Sequence, residues 1–410
     1  METESAAAPR RFRPPRSGPA PQSWRRDGAA PRRRVLLLIK CLGYGGAENL
    51  LVHMVRHRDA AAFDYEVAYV LKSENTLVPD LEAAGVPVHC LGATGNGDPS
   101  WTMRLRTLLW AGDFDIMHTH LPYAATLGRM VATTLPRHRR PRIVYTEHSM
   151  WDRMALALKA LNRATIGLDD RLLVVSEAAR RSMPPALRRR ATVVIHGIEL
   201  DPVRAVLSHR DELRAEVREE LGLRDGELLA LTVANLRREK GYDILLRAAR
   251  SLAERDVPVT FVGVGRGPCR DELIAQAAGL GLGDRFRFLG QRADVLRLLA
   301  ASDMFVLPSR QEGLPVALME ASNVGMPMVV TAVGELPVLL TDGVDALLVP
   351  PEDPGALADA VTRLAADAAL RNRLAAGSST RAALFDVTRC VREVEGIYDE
   401  LRPLPDRVPR

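Results

Sequence analysis

Short apolar segments alternate with segments of helical amphipathic spacing along most of this chain. The continuous apolar run at residues 34–39 is typical of a strand that is buried on both faces. Further strands are predicted at residues 65–71, 87–91, 115–119, 142–146, 171–175 and 192–195. Helices are predicted between them at residues 47–57, 101–111, 123–134 and 151–166. Strands that alternate with helices indicate right-handed βαβ units and a parallel sheet.

The alternation resumes after a polar, charged stretch at residues 201–224, which we interpret as a connection. Strands are then predicted at residues 228–234, 257–263, 285–290, 303–307, 327–331 and 346–349, and a first helix at residues 240–253. The predicted fold class is α/β, with two doubly wound parallel-sheet domains, at residues 34–200 and 205–385, that face an interdomain cleft. Because ligands bind at the carboxyl ends of strands in such sheets, we expect the functional residues just after strands.

Length and composition fit two domains of this kind. The chain has 410 residues, of which 47% are hydrophobic and 26% charged, so it can bury a sizeable core. No apolar run approaches the ~20 residues that span a bilayer, and no apolar stretch near the start indicates a secretory signal. The four cysteines are widely separated, which favours a reducing compartment. We therefore expect a cytoplasmic protein.

The net charge of +5 comes from the start of the chain. Residues 1–34 contain nine arginines, three acidic residues and six prolines, so the rest of the chain is nearly neutral. This composition predicts that residues 1–33 form a disordered, solvated tail. A basic tail without a basic domain surface argues against nucleic acid as a partner.

Glycines follow the first predicted strand. Gly43, Gly45 and Gly46 precede a helix, and they allow the backbone to approach an anion that the helix N-terminus holds. A tight strand-to-helix turn would need the same glycines. Their spacing does not match a dinucleotide fingerprint, so a nicotinamide dehydrogenase is disfavoured.

Three histidines also follow strands of the first half: His118, His120 and His148. We expect His118 and His120 to point to opposite faces of their strand, so that they do not share a metal ion and only one of them faces the site. Asp113 and Asp115 form an Asp-x-Asp pair, but they lie at the start of the same strand, at the wrong end for the site. No metal site is therefore predicted.

Charged residues follow two strands of the second half. Arg237, Arg238 and Lys240 lie beside the N-terminus of a predicted helix, where they could clamp a diphosphate. Glu312 lies in the loop after another strand, and Glu320 lies on the helix that follows. These two carboxylates could hold separate hydroxyls of one elongated ligand, with a diphosphate between them at the start of the helix.

Together these segments resemble the family-four-type GT-B glycosyltransferases, which use nucleotide-sugar donors and retain the anomeric configuration. The resemblance extends from residue 35 to residue 401 and rests on six segments. They are Gly-Gly-Ala-Glu at 45–48, His-Thr-His-Leu-Pro at 118–122, Arg-Arg-Glu-Lys-Gly at 237–241, Phe-Val-Gly-Val-Gly at 261–265, the two-glutamate segment at 308–321 and Asp-Ala-Leu-Leu-Val-Pro-Pro at 345–351. It implies two Rossmann-like domains and a final helix, at residues 387–402, that crosses back onto the first domain.

The resemblance implies a role for each matching residue. His120 would contact the donor sugar near the reacting carbon, Lys240 would neutralise the diphosphate, and Glu312 would hold sugar hydroxyls. The other donor-binding residues implied are Gly45, Gly46, Arg237, Arg238, Gly263, Gly265, Gly313, Leu314 and Glu320, the last of them at the ribose. His118 and His148 are implied as acceptor-binding or secondary residues.

Two positions depart from the family's pattern. Asn235 stands where the family usually has an arginine, and an amide does not supply the missing positive charge. We expect Arg237, or else Arg238, to supply it. His196 stands before Gly197 where the family often has asparagine.

The implied reaction moves a sugar from a UDP- or GDP-linked donor to an acceptor hydroxyl with retention, through an oxocarbenium-like transition state. No metal ion or other cofactor is expected. Two alternatives remain open: a GT-B sugar-nucleotide epimerase, and a non-catalytic GT-B partner subunit, which Asn235 keeps in consideration.

The acceptor is least constrained by the sequence. Basic residues at 137–142 and 188–190, with the apolar face predicted for the helix at 151–166, would suit contact with an anionic membrane. We therefore expect a saccharide or lipid-linked acceptor in polysaccharide or glycolipid biosynthesis, and a peripheral position at the inner face of the membrane. A solvated basic surface beside an ordinary buried helix is the simpler interpretation.

Overall fold

The computed structural model describes residues 32–43, 46–151 and 154–401. Nearly all of the tail that was predicted to be disordered, and Gly45 of the glycine segment, lie outside these ranges. The described residues form two compact units. The first unit contains the described residues up to Val175, Ala179–Val194 and those from Val391 on, and the second contains Ser176–Ala178 and Ile195–Cys390.

A seven-stranded parallel sheet forms the centre of the first unit, in the order β3-β2-β1-β4-β5-β6-β7. Its strands are β1 (Arg33–Ile39), β2 (Phe63–Leu71), β3 (Val88–Ala93), β4 (Ile116–His120), β5 (Arg142–Glu147), β6 (Arg171–Val174) and β7 (Ala191–Val193). The helices along this part of the chain are α1 (Gly46–Arg56), α2 (Val78–Ala83), α3 (Trp101–Gly112), α4 (Pro122–Thr133), α5 (Leu156–Thr165), α6 (Glu177–Ser182) and α7 (Pro185–Arg188). The strand order changes direction between β1 and β4, where sheets of this kind form ligand sites.

The last helix, α17 (Val387–Glu400), packs on the first unit through its second half. The Glu395 carboxylate accepts hydrogen bonds from the Tyr65 hydroxyl (3.0 Å) and the Asp59 backbone N–H (3.1 Å). The Tyr398 hydroxyl lies 2.5 Å from Nδ1 of His118. Polar contacts therefore join the end of the chain to β2 and β4.

A six-stranded parallel sheet forms the centre of the second unit, in the order β10-β9-β8-β11-β12-β13. Its strands are β8 (Leu228–Val233), β9 (Val259–Val264), β10 (Phe286–Gly290), β11 (Met304–Leu307), β12 (Met328–Thr331) and β13 (Leu347–Val349). Its helices are α8 (Leu200–Ser208), α9 (Arg210–Glu220), α10 (Tyr242–Glu254), α11 (Arg270–Gly279), α12 (Val295–Ala301), α13 (Val316–Val324), α14 (Leu336–Leu339), α15 (Pro354–Ala366) and α16 (Ala368–Arg381). Two parallel-sheet α/β domains confirm the predicted fold class.

The charged stretch at residues 201–224, which we interpreted as a connection, contains most of α8 and all of α9. Val217 of α9 is fully buried, whereas the acidic side chains of this helix are exposed. Arg297 of α12 forms ion pairs with Glu216 (3.3 Å) and Glu220 (2.8 Å). Few apolar residues are needed where ion pairs hold one side of a helix, so the hydrophobic pattern missed it.

Two predicted helices begin later than their sequence pattern indicates. The helix predicted at residue 240 begins at Tyr242, because Gly241 adopts a left-handed conformation with φ +66°. The helix predicted at residue 151 begins at Leu156. The buried Trp151 donates its backbone N–H to the Ser182 hydroxyl (2.8 Å), which holds the preceding segment away from α5.

A buried arginine joins α4 to the segment that contains α5. Arg129 Nε donates to Asp169 (2.7 Å), and its Nη1 donates to Asn162 (2.6 Å) and Thr165 (3.1 Å). The guanidinium also lies 4.4 Å from the centre of the Tyr145 ring. Both side chains of the Arg129–Asp169 pair are fully buried, and burial raises the pKa of Asp169 to about 7 although Arg129 opposes the rise.

We expect Arg129→Met to lower the free energy of unfolding by about 3–5 kcal/mol, because it leaves the Asp169 carboxyl group buried without its cation. Arg171→Met is the matched control, since Arg171 pairs with the exposed Glu400 at 3.3 Å and its loss should cost less than about 1 kcal/mol. Urea unfolding followed by circular dichroism measures both. Equal losses in the two variants would contradict this assignment.

Candidate active site

The carboxyl edge of the second sheet carries three loops that touch one another through their backbones. Gly241 follows β8, and a Cβ there would overlap the carbonyl oxygen of Pro308, which follows β11. Gly334 follows β12 with φ +57°, and a Cβ there would overlap the carbonyl oxygen of Glu312. Glycine is therefore required at both positions for the loops to approach this closely.

An ion pair lies where these loops meet. Lys240 Nζ donates to both carboxylate oxygens of Glu312, at 2.8 and 2.7 Å. The Ser309 hydroxyl donates a further hydrogen bond to the same carboxylate (2.6 Å). The Glu312 side chain is 3% exposed and that of Lys240 is 22% exposed, so the cation is the more accessible partner. The structure thus joins two residues that the sequence analysis placed in separate segments.

Arg310 holds the loop of Lys240 beside the loop of Glu312. Its guanidinium donates to both carboxylate oxygens of Asp243 (2.6 and 2.8 Å) and to the carbonyl oxygen of Arg238 (2.7 Å). It also pairs with Glu352, from the loop after β13. The backbone N–H of Arg310 donates to the carbonyl oxygen of Glu239 (2.9 Å). Arg310 was not predicted as a site residue from the sequence, although it lies two residues before Glu312.

Glu320 lies on α13, one helix beyond the ion pair. Burial raises the pKa of its carboxyl group to about 7. Unlike Glu312, Glu320 makes no side-chain hydrogen bond or ion pair to the part of the chain that the structure describes. Of the two residues before α13 that were proposed to lie near the donor, Gly313 is exposed, and the Leu314 side chain packs into the core of the second unit.

Arg237 and Arg238 were expected to replace the arginine that is missing at Asn235. Their side chains line a cavity of about 690 Å³ together with Asp243, Arg247 and other residues of α10 and α11. Neither Lys240 nor Glu312 lines that cavity. Among the described residues, no side-chain hydrogen bond or ion pair joins either arginine to Lys240 or Glu312, and their donor-binding role stays a prediction.

Gly263 and Gly265 have packing roles that the resemblance does not require. A Cβ on Gly263 would lie 3.0 Å from the Tyr242 ring and 3.2 Å from the Phe288 ring. Gly265 has φ +151°, and a Cβ there would overlap the carbonyl oxygen of Ala234. The second glycine thus lets the loop after β9 reach the loop after β8.

In the first unit, three histidines meet at the carboxyl ends of β4 and β5. The ring centres of His118 and His120 are 4.3 Å apart, so the prediction that they point to opposite faces was wrong. Side chains two positions apart on a strand share a face. Nε2 of His148 lies 3.1 Å from Nδ1 of His120.

Burial sets the charge of this histidine cluster. It lowers the pKa of His118 to about 3 and that of His120 well below its usual range, so both rings are neutral. Nε2 of His120 is buried and has no hydrogen-bond partner in the described part of the chain. A buried polar atom of this kind is available to a ligand.

The remaining proposed positions are less informative. Gly46 begins α1 and is exposed, with open space where a Cβ would lie. Asp115 accepts a hydrogen bond from the Arg34 backbone N–H (2.8 Å), and Asp113 ends α3 with φ +49°. Among residues 32–43, 46–151 and 154–401, no three His, Cys, Asp or Glu side chains are grouped as metal ligands would be.

Two family models match this chain. The model for Glycosyl transferases group 1 matches residues 214–380, and the model for Glycosyltransferase Family 4 matches residues 44–202. Among similar proteins, the D-inositol 3-phosphate glycosyltransferase of Frankia alni is 30% identical over 398 residues, covering 87% of this chain and 95% of that protein. The alpha-D-kanosaminyltransferase of Streptomyces kanamyceticus is 33% identical over 191 residues, covering 46% of this chain and 49% of that protein.

Solved structures show the same fold. Anabaena Alr3699/HepE in complex with UDP aligns with a TM-score of 0.76 at 21% identity, over 90% of this chain and all of that one. A glycosyltransferase from Rickettsia africae aligns with a TM-score of 0.77 at 16% identity, over 90% of this chain and 98% of that one. The fold is therefore GT-B, and the protein is a glycosyltransferase. The chain belongs to the family-four-type glycosyltransferases, which confirms the resemblance seen in the sequence.

The raised pKa of Glu320 predicts a pH-dependent stability. A carboxyl group whose folded pKa exceeds its unfolded value stabilises the fold fully at low pH, and this contribution is lost as the pH rises through about 7. Between pH 5 and pH 8, the free energy of unfolding of the unmodified protein should fall by up to roughly 3 kcal/mol relative to that of Glu320→Gln. Thermal unfolding at both pH values measures the difference.

The control for this experiment is Glu254→Gln, which alters an exposed glutamate of α10. Its melting temperature should follow that of the unmodified protein at both pH values. Parallel behaviour of Glu320→Gln and the unmodified protein would contradict the raised pKa of the half-buried Glu320.

Proposed function

We propose that this glycosyltransferase moves a sugar from a nucleoside-diphosphate donor to an acceptor hydroxyl and retains the anomeric configuration. The observation that carries the proposal is the Lys240–Glu312 ion pair at the carboxyl edge of the second sheet. The ammonium group of Lys240 is partly accessible and belongs to a turn that leads into α10. It can therefore donate a further hydrogen bond to a phosphate oxygen. Glu312, held by Ser309 and Lys240, then presents fixed oxygens to sugar hydroxyls.

Lys240 supplies the main electrostatic contribution in this proposal. Negative charge develops on the leaving diphosphate as the bond to the sugar breaks, and a preorganised cation stabilises it. Both oxygens of Glu312 are engaged in hydrogen bonds, so we do not assign it the role of a covalent nucleophile. Instead, a phosphate oxygen of the departing diphosphate takes the proton of the acceptor hydroxyl on the same face of the sugar. No metal ion is needed for these steps, and activity should persist with a chelator.

Glu320 and His120 complete the proposed donor contacts. The Glu320 carboxyl group has no protein partner among the described residues and suits the paired hydroxyls of a ribose. Nε2 of His120 is buried without a partner and suits a hydroxyl of the donor sugar. For the nucleotide we favour UDP, because the structural neighbour Alr3699/HepE has been solved with UDP and with UDP-glucose.

For the acceptor we propose a saccharide or lipid-linked saccharide, in the assembly of a polysaccharide or glycolipid. Several relatives are named for D-inositol 3-phosphate, so a cyclitol phosphate belongs in the same acceptor panel. Proton NMR of the product reports the anomeric configuration. Inversion at the transferred sugar would overturn the proposed stereochemistry.

We expect Lys240→Met to lower kcat/KM for the nucleotide sugar by about 10²–10³-fold, because the leaving diphosphate loses its cation. Arg255→Met is the control: it removes a cation at the other end of α10 that pairs with Asp359 on the surface. Release of nucleoside diphosphate, followed by a coupled assay, gives the rates. A loss smaller than threefold in Lys240→Met, or an equal loss in the control, would contradict the role of Lys240.

Helix α5 supports a peripheral contact with membranes. Leu156 is 85% exposed and Leu161 is 40% exposed, whereas only Asn162 and Thr165 of this helix are buried. Most side chains of α5 are therefore exposed, although Leu158 packs against the core. Arg163 is exposed and lies two helical turns after Leu156, so an apolar and a basic side chain share one face of α5. In the described ranges, no helix is both long and apolar enough to span a bilayer.

We propose that this face of α5 seats on anionic lipid, and we expect the protein to float with phosphatidylglycerol vesicles at low salt. Leu156→Glu should lower the bound fraction several-fold, because it adds a charge that anionic lipid repels. Met103→Glu, at a residue of α3 that is 65% exposed, should leave it unchanged. Absence of binding by the unmodified protein, or equal binding by both variants, would remove α5 as the contact.

A further inference from the structure

Aromatic and polar side chains connect the C-terminal helix to the histidine cluster inside the first unit. Tyr398 of α17 is fully buried and packs edge to face against Phe63 and Tyr65, with ring centres 5.8 and 6.4 Å apart. Its ring also meets the His118 ring at 87°, with centres 5.7 Å apart. The position of the Tyr398 hydroxyl is thus fixed on several sides.

His118 is held by hydrogen bonds at both ring nitrogens. Nδ1 lies 2.5 Å from the Tyr398 hydroxyl, and Nε2 lies 2.7 Å from the Thr146 hydroxyl. A neutral imidazole has one donor and one acceptor nitrogen, and a hydroxyl can serve either. Two fixed hydroxyls therefore prevent the ring from rotating, because rotation would leave a buried nitrogen without a partner.

His118 in turn supports His120. Their rings are in contact, with centres 4.3 Å apart and planes tilted by 31°. On its other side His120 meets His148, at 3.1 Å between nitrogens. Nε2 of His120 lacks a hydrogen-bond partner among the described residues, and its direction depends on the two neighbouring rings.

We propose that Tyr398 is a positioning residue: its hydroxyl fixes the His118 ring, and that ring fixes the direction of Nε2 of His120. The proposal rests on the proposed function, in which this nitrogen meets the donor sugar. Productive orientation of a contacting group is worth a large factor in rate, and small displacements reduce it. The end of the chain thereby sets the geometry of a residue 278 positions earlier.

The test compares Tyr398→Phe with Tyr69→Phe, both in the 410-residue chain. Each variant removes one hydroxyl from a buried tyrosine of the first unit. Tyr69 lies on β2, and among the described residues no hydrogen bond or ring contact joins it to any of the three histidines. We expect Tyr398→Phe to lower kcat about tenfold with the donor KM unchanged. Tyr69→Phe should stay within twofold of the unmodified protein.

A second readout follows the histidines themselves. Long-range ¹H–¹⁵N spectra of ring nitrogens should show that Tyr398→Phe shifts the signals of both His118 and His120, whereas Tyr69→Phe shifts neither. Thr146→Val removes the other hydroxyl that holds His118, and it should move the same signals and lower kcat in the same direction. A purely structural role of Tyr398 would lower the melting temperature without moving the His120 signals.

The proposal is overturned if Tyr398→Phe leaves kcat within twofold, if both tyrosine variants lower kcat equally, or if the His120 signals do not move. If the unmodified protein turns over no nucleotide sugar, the proposed function fails. In that case the nitrogen signals alone decide whether Tyr398 orients the histidine pair.

Discussion

A buried carboxylate requires a partner, and in this protein the pairing of Glu312 with Lys240 determines how the second unit arranges its loops. The two residues follow different strands, so their pairing needs close contact between the loops after β8 and β11. Gly241 permits that contact at the backbone. The Arg310 side chain stabilises it through five hydrogen bonds to Asp243, Glu352 and the Arg238 carbonyl oxygen. A cation that could bind a diphosphate is thus held in place before any ligand arrives.

In the first unit, the buried side chains of the candidate site are neutral imidazoles instead of an ion pair. Two of its three post-strand histidines, His118 and His120, are buried where charge would be unfavourable, and hydroxyl groups of Tyr398 and Thr146 hold His118 in place. One ring nitrogen of His120 remains without a protein partner in the described ranges. The two units thus present different chemistry: a paired cation in the second, and a neutral, directed nitrogen in the first.

The sequence predicted the order of strands and helices because parallel strands, buried on both faces, leave a clear apolar pattern. It also identified Lys240, Glu312 and Glu320 as candidates, since residues after strands gather at one edge of a parallel sheet. It did not identify α8 and α9 as helices, because charged residues interrupt their apolar positions and α9 pairs with Arg297 through Glu216 and Glu220. The sequence did not indicate a role for Arg310 or Tyr398, because that role depends on the residues they contact. These partners belong to other loops or are distant along the chain.

Calorimetric titration with UDP and UMP shows whether the Lys240–Glu312 site binds a diphosphate. We expect UDP to bind at least ten times more tightly than UMP, with an affinity that falls as salt is added, because the second phosphate meets Lys240. Equal affinities for UDP and UMP, or no detectable binding of UDP, GDP or ADP, would contradict it.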